Sequence, residues 1–391
     1  MSLKPTFRPL LAILLVTAAC GHSESYTATG PEAASGPFVI GTPTRLTYAS
    51  GMDLLSGFSP DGKTLLYSFQ DRFLPPPAVP ARPDFDRCIG LLPAGGGTRQ
   101  EICRADFAGD ATTDAFEHAA LGTDGALLYG AYSSGIRAPL VSQGSLRLAT
   151  LAAPWPGRVL LTTPTVIGGF SFDHFGTPRW LSTSTFYVPV HDQSLVGSPD
   201  NEVKVDTIAF GIGILRGDLT ANGVVFTAVA GSDSASGFDF SAGRDSLYLT
   251  RFNDPTLYRI PITGGVRQVV YTSPPVSGPT ILRDPVRVGN RIAAVRHNYQ
   301  RLDQFRYPDP PVGLGPDAAI IVIDPSLGTA STLVAAPGRF RVQGSLAAFG
   351  ALAASPDGCR LVVEHRIVQE FTFTTDLYSY CLGPAGQCIC S

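Results

Sequence analysis

Gly57-Phe58-Ser59-Pro60-Asp61-Gly62-Lys63-Thr64-Leu65-Leu66-Tyr67 reads as two strands joined by a tight turn. Proline presets φ at Pro60, the Asp61 carboxylate can bond the local backbone, and Gly62 takes the positive φ that a side chain resists. Thr64 to Tyr67 is then β-branched, aliphatic and aromatic, the composition of a buried strand. The pattern returns near the C-terminus as Ala354-Ser355-Pro356-Asp357-Gly358-Cys359-Arg360-Leu361-Val362-Val363. A hairpin that returns at a distance asks for a search for repeats.

Four weaker copies lie between these two. Leu121-Gly122-Thr123-Asp124-Gly125 keeps the turn and leads into Ala126 to Tyr129. Gly169-Phe170-Ser171-Phe172-Asp173 matches the opening of the first copy, with Arg179-Trp180-Leu181 as its expected second strand. Gly237 to Ser241 leads to Leu247-Tyr248-Leu249, and Val286-Arg287-Val288 turns at Gly289-Asn290 into Arg291 to Val295. After each copy comes a second hairpin, clearest at Leu257 to Ile262, Gly264-Gly265 and Val266 to Tyr271. The others turn near Gly95-Gly96, Pro156-Gly157, Asn222-Gly223, Gly328 and Gly386. Six alternating pairs of hairpins predict an all-β fold, a six-bladed β-propeller of four-stranded antiparallel blades. Phe38 to Tyr48 has no partner in the first blade, so Arg45-Leu46-Thr47 is expected to complete the last blade and close the ring.

The Ser-Pro-Asp-Gly hairpins and the Arg45-Leu46-Thr47 run resemble the TolB-like six-bladed propellers, over roughly residues 38 to 391. The resemblance implies the fold and little chemistry, since that repeat serves scaffolds, peptidase accessory domains and enzymes alike.

The N-terminus reads as targeting. Lys4 and Arg8 precede the apolar run Leu10 to Val16, and Thr17-Ala18-Ala19 ends at Cys20. The run is shorter than a membrane-spanning helix. Cys20 after small residues resembles a bacterial lipobox, with Thr17 where such sites usually carry Leu; ordinary secretion with nearby cleavage is the alternative. Residues 1–19 are thus expected to be a signal peptide. Residues 20–36, lipidated at Cys20, form a small, polar tether, and residues 37–391 form the propeller. The location implied is the bacterial cell envelope, with an extracytoplasmic domain held to a membrane, the outer one by preference, through Cys20. Forty-two glycines and 33 prolines in 391 residues suit a fold of many turns. A net charge of −3 gives no electrostatic case for nucleic acid.

Three connections exceed what a propeller needs: Arg72 to Asp86, His191 to Asp206 and Arg301 to Asp317. Each joins the second and third strands of a blade, so all three emerge on one face, where the second strands also end. Arg72, Tyr132, Arg251, Arg296, His297, Glu364, His365 and Arg366 gather there as a candidate ligand- or partner-binding set. Salt bridges and solvated strand ends are the plainer reading of each one. Arginine suggests a protein or a small anionic ligand, because it offers planar paired donors. No nucleophile elbow, metalloprotease helix, P-loop or dinucleotide-binding glycine run is present, and the sequence indicates no cofactor and no metal. The reading is an envelope-anchored binding or scaffold module rather than an enzyme. The alternative is a lyase or hydrolase at the propeller mouth, should Glu364, His365 and His297 meet.

Seven cysteines less Cys20 leave six. Cys88 and Cys103 stand symmetrically about the Gly95-Gly96 turn, and Cys359 and Cys381 fall on neighbouring strands, so both pairs are expected to form disulfides. Zinc is the rival reading, but no Cys-x-x-Cys accompanies them. Cys388 and Cys390 are left unassigned. The Cys88–Cys103 bridge closes a loop worth roughly 3 kcal/mol in chain entropy, and less within a hairpin that already restrains it. Replacing Cys88 with Ser is expected to lower the unfolding free energy by about 1–2 kcal/mol, read from a denaturant midpoint.

Overall fold

The computed structural model describes residues 39–40, 43–48, 52–70, 88–103, 113–134, 143–192, 210–275, 280–298, 319–335, 346–369 and 372–383. Among them there is no helix, and so none long and apolar enough to cross a membrane. The signal segment, Cys20, Arg72 and most of the three long connections lie outside the described residues.

Two short strands open the described chain, β1 (Val39–Ile40) and β2 (Thr44–Arg45). Blade 1 is β3 (Met52–Phe58), β4 (Thr64–Gln70), β5 (Cys88–Pro93) and β6 (Gln100–Ile102). Blade 2 is β7 (Thr113–Leu121), β8 (Ala126–Ser134), β9 (Gln143–Thr150) and β10 (Ala153–Thr162). A separate hairpin, β11 (Thr165–Ile167) and β12 (Phe170–Phe172), precedes blade 3. Blade 3 has a broken first strand, β13 (His174–Phe175) and β14 (Arg179–Trp180), then β15 (Thr185–Asp192), β16 (Phe210–Thr220) and β17 (Gly223–Ala228). Blade 4 is β18 (Ala235–Phe240), β19 (Ser246–Arg251), β20 (Thr256–Pro261) and β21 (Gln268–Thr272). Blade 5 is β22 (Thr280–Val288), β23 (Arg291–Asn298), β24 (Ala319–Asp324) and β25 (Thr329–Ala335). Blade 6 is β26 (Leu346–Ala354), β27 (Arg360–Gln369) and β28 (Thr372–Gly383), completed by β1 and β2. The fold is a six-bladed β-propeller.

Blade 3 departs from the sequence expectation. Phe170–Phe172 is not its first strand, and Arg179–Trp180 belongs to the first strand rather than the second. The cause is Gly168-Gly169, both at positive φ, which turns Ile167 straight back onto Phe170 as a two-residue hairpin. In blade 2 the second hairpin also turns earlier than expected, between Thr150 and Ala153.

The packing explains why the strands are apolar runs rather than alternating ones. Each sheet is covered on both faces by its neighbours, and side chains alternate between those faces. Leu65 therefore packs toward blade 6 with Val362 and Leu377, while Leu66 packs toward blade 2 with Phe116 and Leu127. Six buried clusters fill the six junctions between blades.

The Ser-Pro-Asp-Gly turns are self-contained. The Ser59 hydroxyl bonds Asp61, and its oxygen accepts the Thr64 N–H at 2.9 Å, while Asp61 accepts the Lys63 N–H at 3.1 Å. Blade 6 repeats this with Ser355, Asp357, Cys359 and Arg360. In blade 4, Ser241 and Asp245 build an equivalent turn from a different sequence, with Arg244 taking the positive φ.

The ring closes as expected. β1 pairs with β28 through Val39↔Gly383 and Ile40↔Leu382, and β2 through Thr44↔Ser379 and Arg45↔Tyr378. Leu46 N–H donates to the Leu377 carbonyl at 2.7 Å, and the Thr47 hydroxyl accepts the Leu377 N–H at 2.9 Å. Arg45 meets Asp376 at 2.6 Å.

Cys88 and Cys103 form the expected disulfide. The expected Cys359–Cys381 bridge is not made: Cys381 is disulfide-bonded, but not to Cys359, and its partner lies outside the described residues. Register is the reason. Arg360, not Cys359, stands opposite Cys381, and Cys359 lies in the turn before β27.

Burial opposes charge on both members of the Arg45–Asp376 pair. For Arg45 the bond to Asp376 outweighs it and the guanidinium is held above its ordinary value; for Asp376 burial wins and the carboxyl is pushed up despite Arg45. The fold thus binds the Asp376 proton more tightly than the unfolded chain does, so this group's contribution to stability falls as pH rises through its titration. Arg45→Ala is expected to cost about 2 kcal/mol near neutral pH, less than a fully buried pair because Arg45 keeps some water contact. Removing Arg45 pushes Asp376 up further, so the penalty should shrink on acidification through the carboxylate range. Urea midpoints of both proteins across pH 4 to 8 measure it.

Candidate functional site

First strands touch one another between blades 4 and 5, 5 and 6, 6 and 1, and 1 and 2, and β7 of blade 2 touches β14 of blade 3. In blade 2, the pairing of β7 with β8 steps from Glu117↔Gly130 to Ala120↔Leu128, so β7 carries one extra residue there. His118 sits in this bulge with φ of 56°, a left-handed conformation unusual for a side-chain-bearing residue. In a regular strand Glu117 and His118 would point to opposite faces. The bulge cancels that alternation, and both side chains reach one spot.

His174, the first residue of β13, comes to that spot from blade 3. Glu117 Oε2 lies 3.5 Å from His118 Nε2 and 3.5 Å from His174 Nε2, and the three atoms lie within 4.8 Å of one another. Charge-assisted hydrogen bonds run at about 2.7–2.9 Å, so these contacts are too long to be good ones. Around an ion bound at about 2.0–2.2 Å, neighbouring ligand atoms stand roughly 3.0–3.5 Å apart, which is the observed spacing. Glu117 and His174 are both more than nine-tenths buried, while His118 is about a quarter exposed and gives access. Among the described residues this is the one group of three such side chains so disposed.

Supporting contacts orient the ligands. His118 Nδ1 is 3.2 Å from Thr177 Oγ1, and a proton donated there leaves the Nε2 lone pair facing Glu117. The His174 ring stacks on Tyr132 at 4.0 Å and 14°, and its buried Nδ1 finds no hydrogen-bond partner among the described residues. Tyr132 is itself fixed by both backbone groups of one residue: its hydroxyl donates to the Phe175 carbonyl at 3.1 Å and accepts the Phe175 N–H at 3.0 Å. Its ring needs glycine beneath it, because a Cβ on Gly130 or Gly144 would come within 2.8 Å of ring atoms. Burial raises the Tyr132 hydroxyl well above its ordinary value, so it stays protonated.

His191 pairs across the sheet with His174, and its Nε2 lies 3.3 Å from the Ser236 carbonyl of blade 4. Burial first, then the nearby His174 and His118, push it down to about 3. It is therefore neutral at ordinary pH and donates that proton to Ser236.

The residues expected from sequence are placed as follows. Tyr132 supports the cluster. Arg251 lies between Asp233 at 3.9 Å and Asp254 at 3.7 Å, an ionic contact within blade 4. Arg296 and His297 lie at the end of β23, where Arg296 Nε is buried with no partner among the described residues. Glu364 and His365 are consecutive on regular β27 and diverge: Glu364 accepts the Leu55 N–H of blade 1 at 3.3 Å, while His365 packs between Tyr378 and Phe349 and meets Tyr380 Oη at 2.9 Å. Burial pushes His365 down to about 3, so it is a neutral core imidazole. Arg366 pairs in register with Ala348 and Thr375; its side chain and all of Arg72 lie outside the described residues. The sequence reading missed Glu117, His118 and His174. A Glu-His dipeptide inside a strand that must be buried on both faces was the available signal.

A surface hollow of about 230 Å³ lined by Arg216, Asp218, Thr227 and Ile262 lies at the blade 3–blade 4 junction and contains none of these residues.

The site sits within a known architecture. A gluconolactonase of Xanthomonas campestris aligns over 89% of this chain and 98% of its own at 13% identity, with a TM-score of 0.50. A luciferin-regenerating enzyme aligns over 88% and 95% at 8% identity, with a TM-score of 0.50. TolB from Acinetobacter baumannii aligns over 76% and 60% at 11% identity, and its TM-score of 0.42 carries no argument. At these identities the likeness speaks for the propeller fold alone. No protein-family model and no curated protein matches the sequence.

Tyr132→Phe keeps the stack on His174 and strips Phe175 of two buried hydrogen bonds. The expected cost is about 1–3 kcal/mol of unfolding free energy, measured as a shift in denaturant midpoint.

Proposed function

We propose that this protein is a metal-dependent hydrolase whose site is the Glu117–His118–His174 cluster in the propeller channel. The observation that carries the reading is the 3.5 Å spacing of both imidazole Nε2 atoms from one buried carboxylate oxygen. Two histidines and one carboxylate suit zinc or a similar ion, and three protein ligands leave further positions for water and substrate. A bound ion of this kind makes a water acidic and polarises an ester or lactone carbonyl. The chain's own residues prepare for that. Thr177 sets the His118 tautomer, Tyr132 holds the His174 ring, and the His118 bulge aims two consecutive side chains at one point.

Two of the similar folds bear enzyme names, gluconolactonase and luciferin-regenerating enzyme, but the reading rests on the cluster rather than on them. The sequence of residues 1–36 supports work outside the cytoplasm, with the propeller tethered to the envelope through Cys20. A binding module without chemistry is the second reading. It is favoured by Arg296, whose buried Nε finds no partner among the described residues, and a bound ion without hydrolysis of any substrate would support it.

The experiment is metal analysis of the purified full-length chain together with zinc titration. One tightly held ion per chain is expected. Glu117→Gln and His174→Ala should each weaken it beyond the roughly 10–100-fold that loss of a ligand's outer partner costs, with the β-sheet circular dichroism unchanged. Zinc affinity equal in the wild type and both variants would reject the site.

A further inference from the structure

The bulge of blade 2 is one of a set. Extra residues occur at the corresponding place in the first strands of blades 1, 4, 5 and 6, at Leu55/Gly57, Ala235/Gly237, Arg283/Val286 and Phe349/Leu352. Blades 2 and 5 share more. In both, the residue after the last regular pair is left-handed: His118 at 56° and Asp284 at 50°. Arg283-Asp284 is thus the blade 5 counterpart of Glu117-His118. In a six-bladed ring blades 2 and 5 face each other across the channel, and equivalent bulges lie at equivalent height.

His174 pairs with His191, His191 reaches Ser236, and Ser236 is the extra residue of the blade 4 bulge. Blade 4 packs closely on blade 5 there: a Cβ on Gly237 would meet Pro285 Cδ at 3.3 Å and the Asp284 backbone at 3.7 Å. Among the described residues Arg283 has one ion pair, to its neighbour Asp284 at 3.8 Å, and its side chain is 29% exposed. That separation is well beyond the length of a charge-assisted bond, so among the described residues Arg283 has no tight carboxylate partner.

We infer that Arg283 is a substrate anchor: it holds a carboxylate of a small molecule whose hydrolysable carbonyl lies at the Glu117–His118–His174 site across the channel. Arginine suits this role because its planar fork matches two carboxylate oxygens. This inference rests on the metal reading and narrows it to carboxylate-bearing substrates.

Calorimetry on the zinc-loaded full-length chain tests it, with acetate and the linear dicarboxylates from malonate to adipate as probes. In the wild type, dicarboxylates long enough to span the channel should bind more tightly than acetate. Arg283→Gln should weaken that binding about tenfold or more, the loss of one hydrogen-bonded charge pair. Its zinc affinity should stay as in the wild type, which also shows that the variant folds. Arg283→Lys, which keeps the charge and loses the fork, should fall between. Zinc bound normally with dicarboxylate binding equal in wild type and Arg283→Gln would overturn the anchor and leave the metal site standing. Failure of the wild type to bind zinc would overturn both.

Discussion

Ring closure is the constraint on which the other features depend. A propeller blade has no core of its own; each sheet is buried only because another lies on either side, and the sixth must meet the first. Here the last sheet borrows its outer edge from the N-terminus, through β1 and β2 on β28. Main-chain bonds, the Thr47 hydroxyl and the Arg45–Asp376 pair fasten that edge. The Thr375 hydroxyl of blade 6 also bonds the Asp53 backbone of blade 1 from the inside. Opening the ring would expose the junction of Leu55, Leu65, Val362 and Leu377 to water, so closure and core are a single interaction.

A closed ring imposes a geometry on its inner wall. First strands converge on the axis, where side chains from alternate positions would be lost into the junctions between blades. Bulges break that rule by adding one residue and turning the next side chain inward. The left-handed residues His118 and Asp284 carry backbone strain, which the surrounding sheets hold in place. In blade 2 the outcome is a carboxylate and an imidazole from adjacent residues aimed at one point, completed by His174 from the next blade. Polar chemistry in this fold therefore collects where the repeat is irregular.

Regular strands do the opposite. Glu364 and His365 are adjacent, like Glu117 and His118, yet on β27 one faces blade 1 and the other the blade 5 side, and no joint site forms. Register likewise separates Cys359, in the turn before β27, from Cys381 on β28. Cys88 and Cys103 bond across a short hairpin in which both flank the same turn.

By itself the sequence determined the repeat, the number of blades, the closure by Arg45-Leu46-Thr47 and the Cys88–Cys103 bridge. Each of these is carried by local features: turn chemistry such as Ser59-Pro60-Asp61-Gly62, the apolar runs of strands buried on both faces, and cysteine symmetry about one turn. Only the tertiary structure decided which polar residues meet. Glu117 and His174 are 57 positions apart in the chain, and their meeting depends on a bulge, a left-handed φ at His118 and the broken first strand of blade 3. None of these follows from hydrophobic periodicity, because periodicity assumes the regular two-residue alternation that a bulge exists to interrupt.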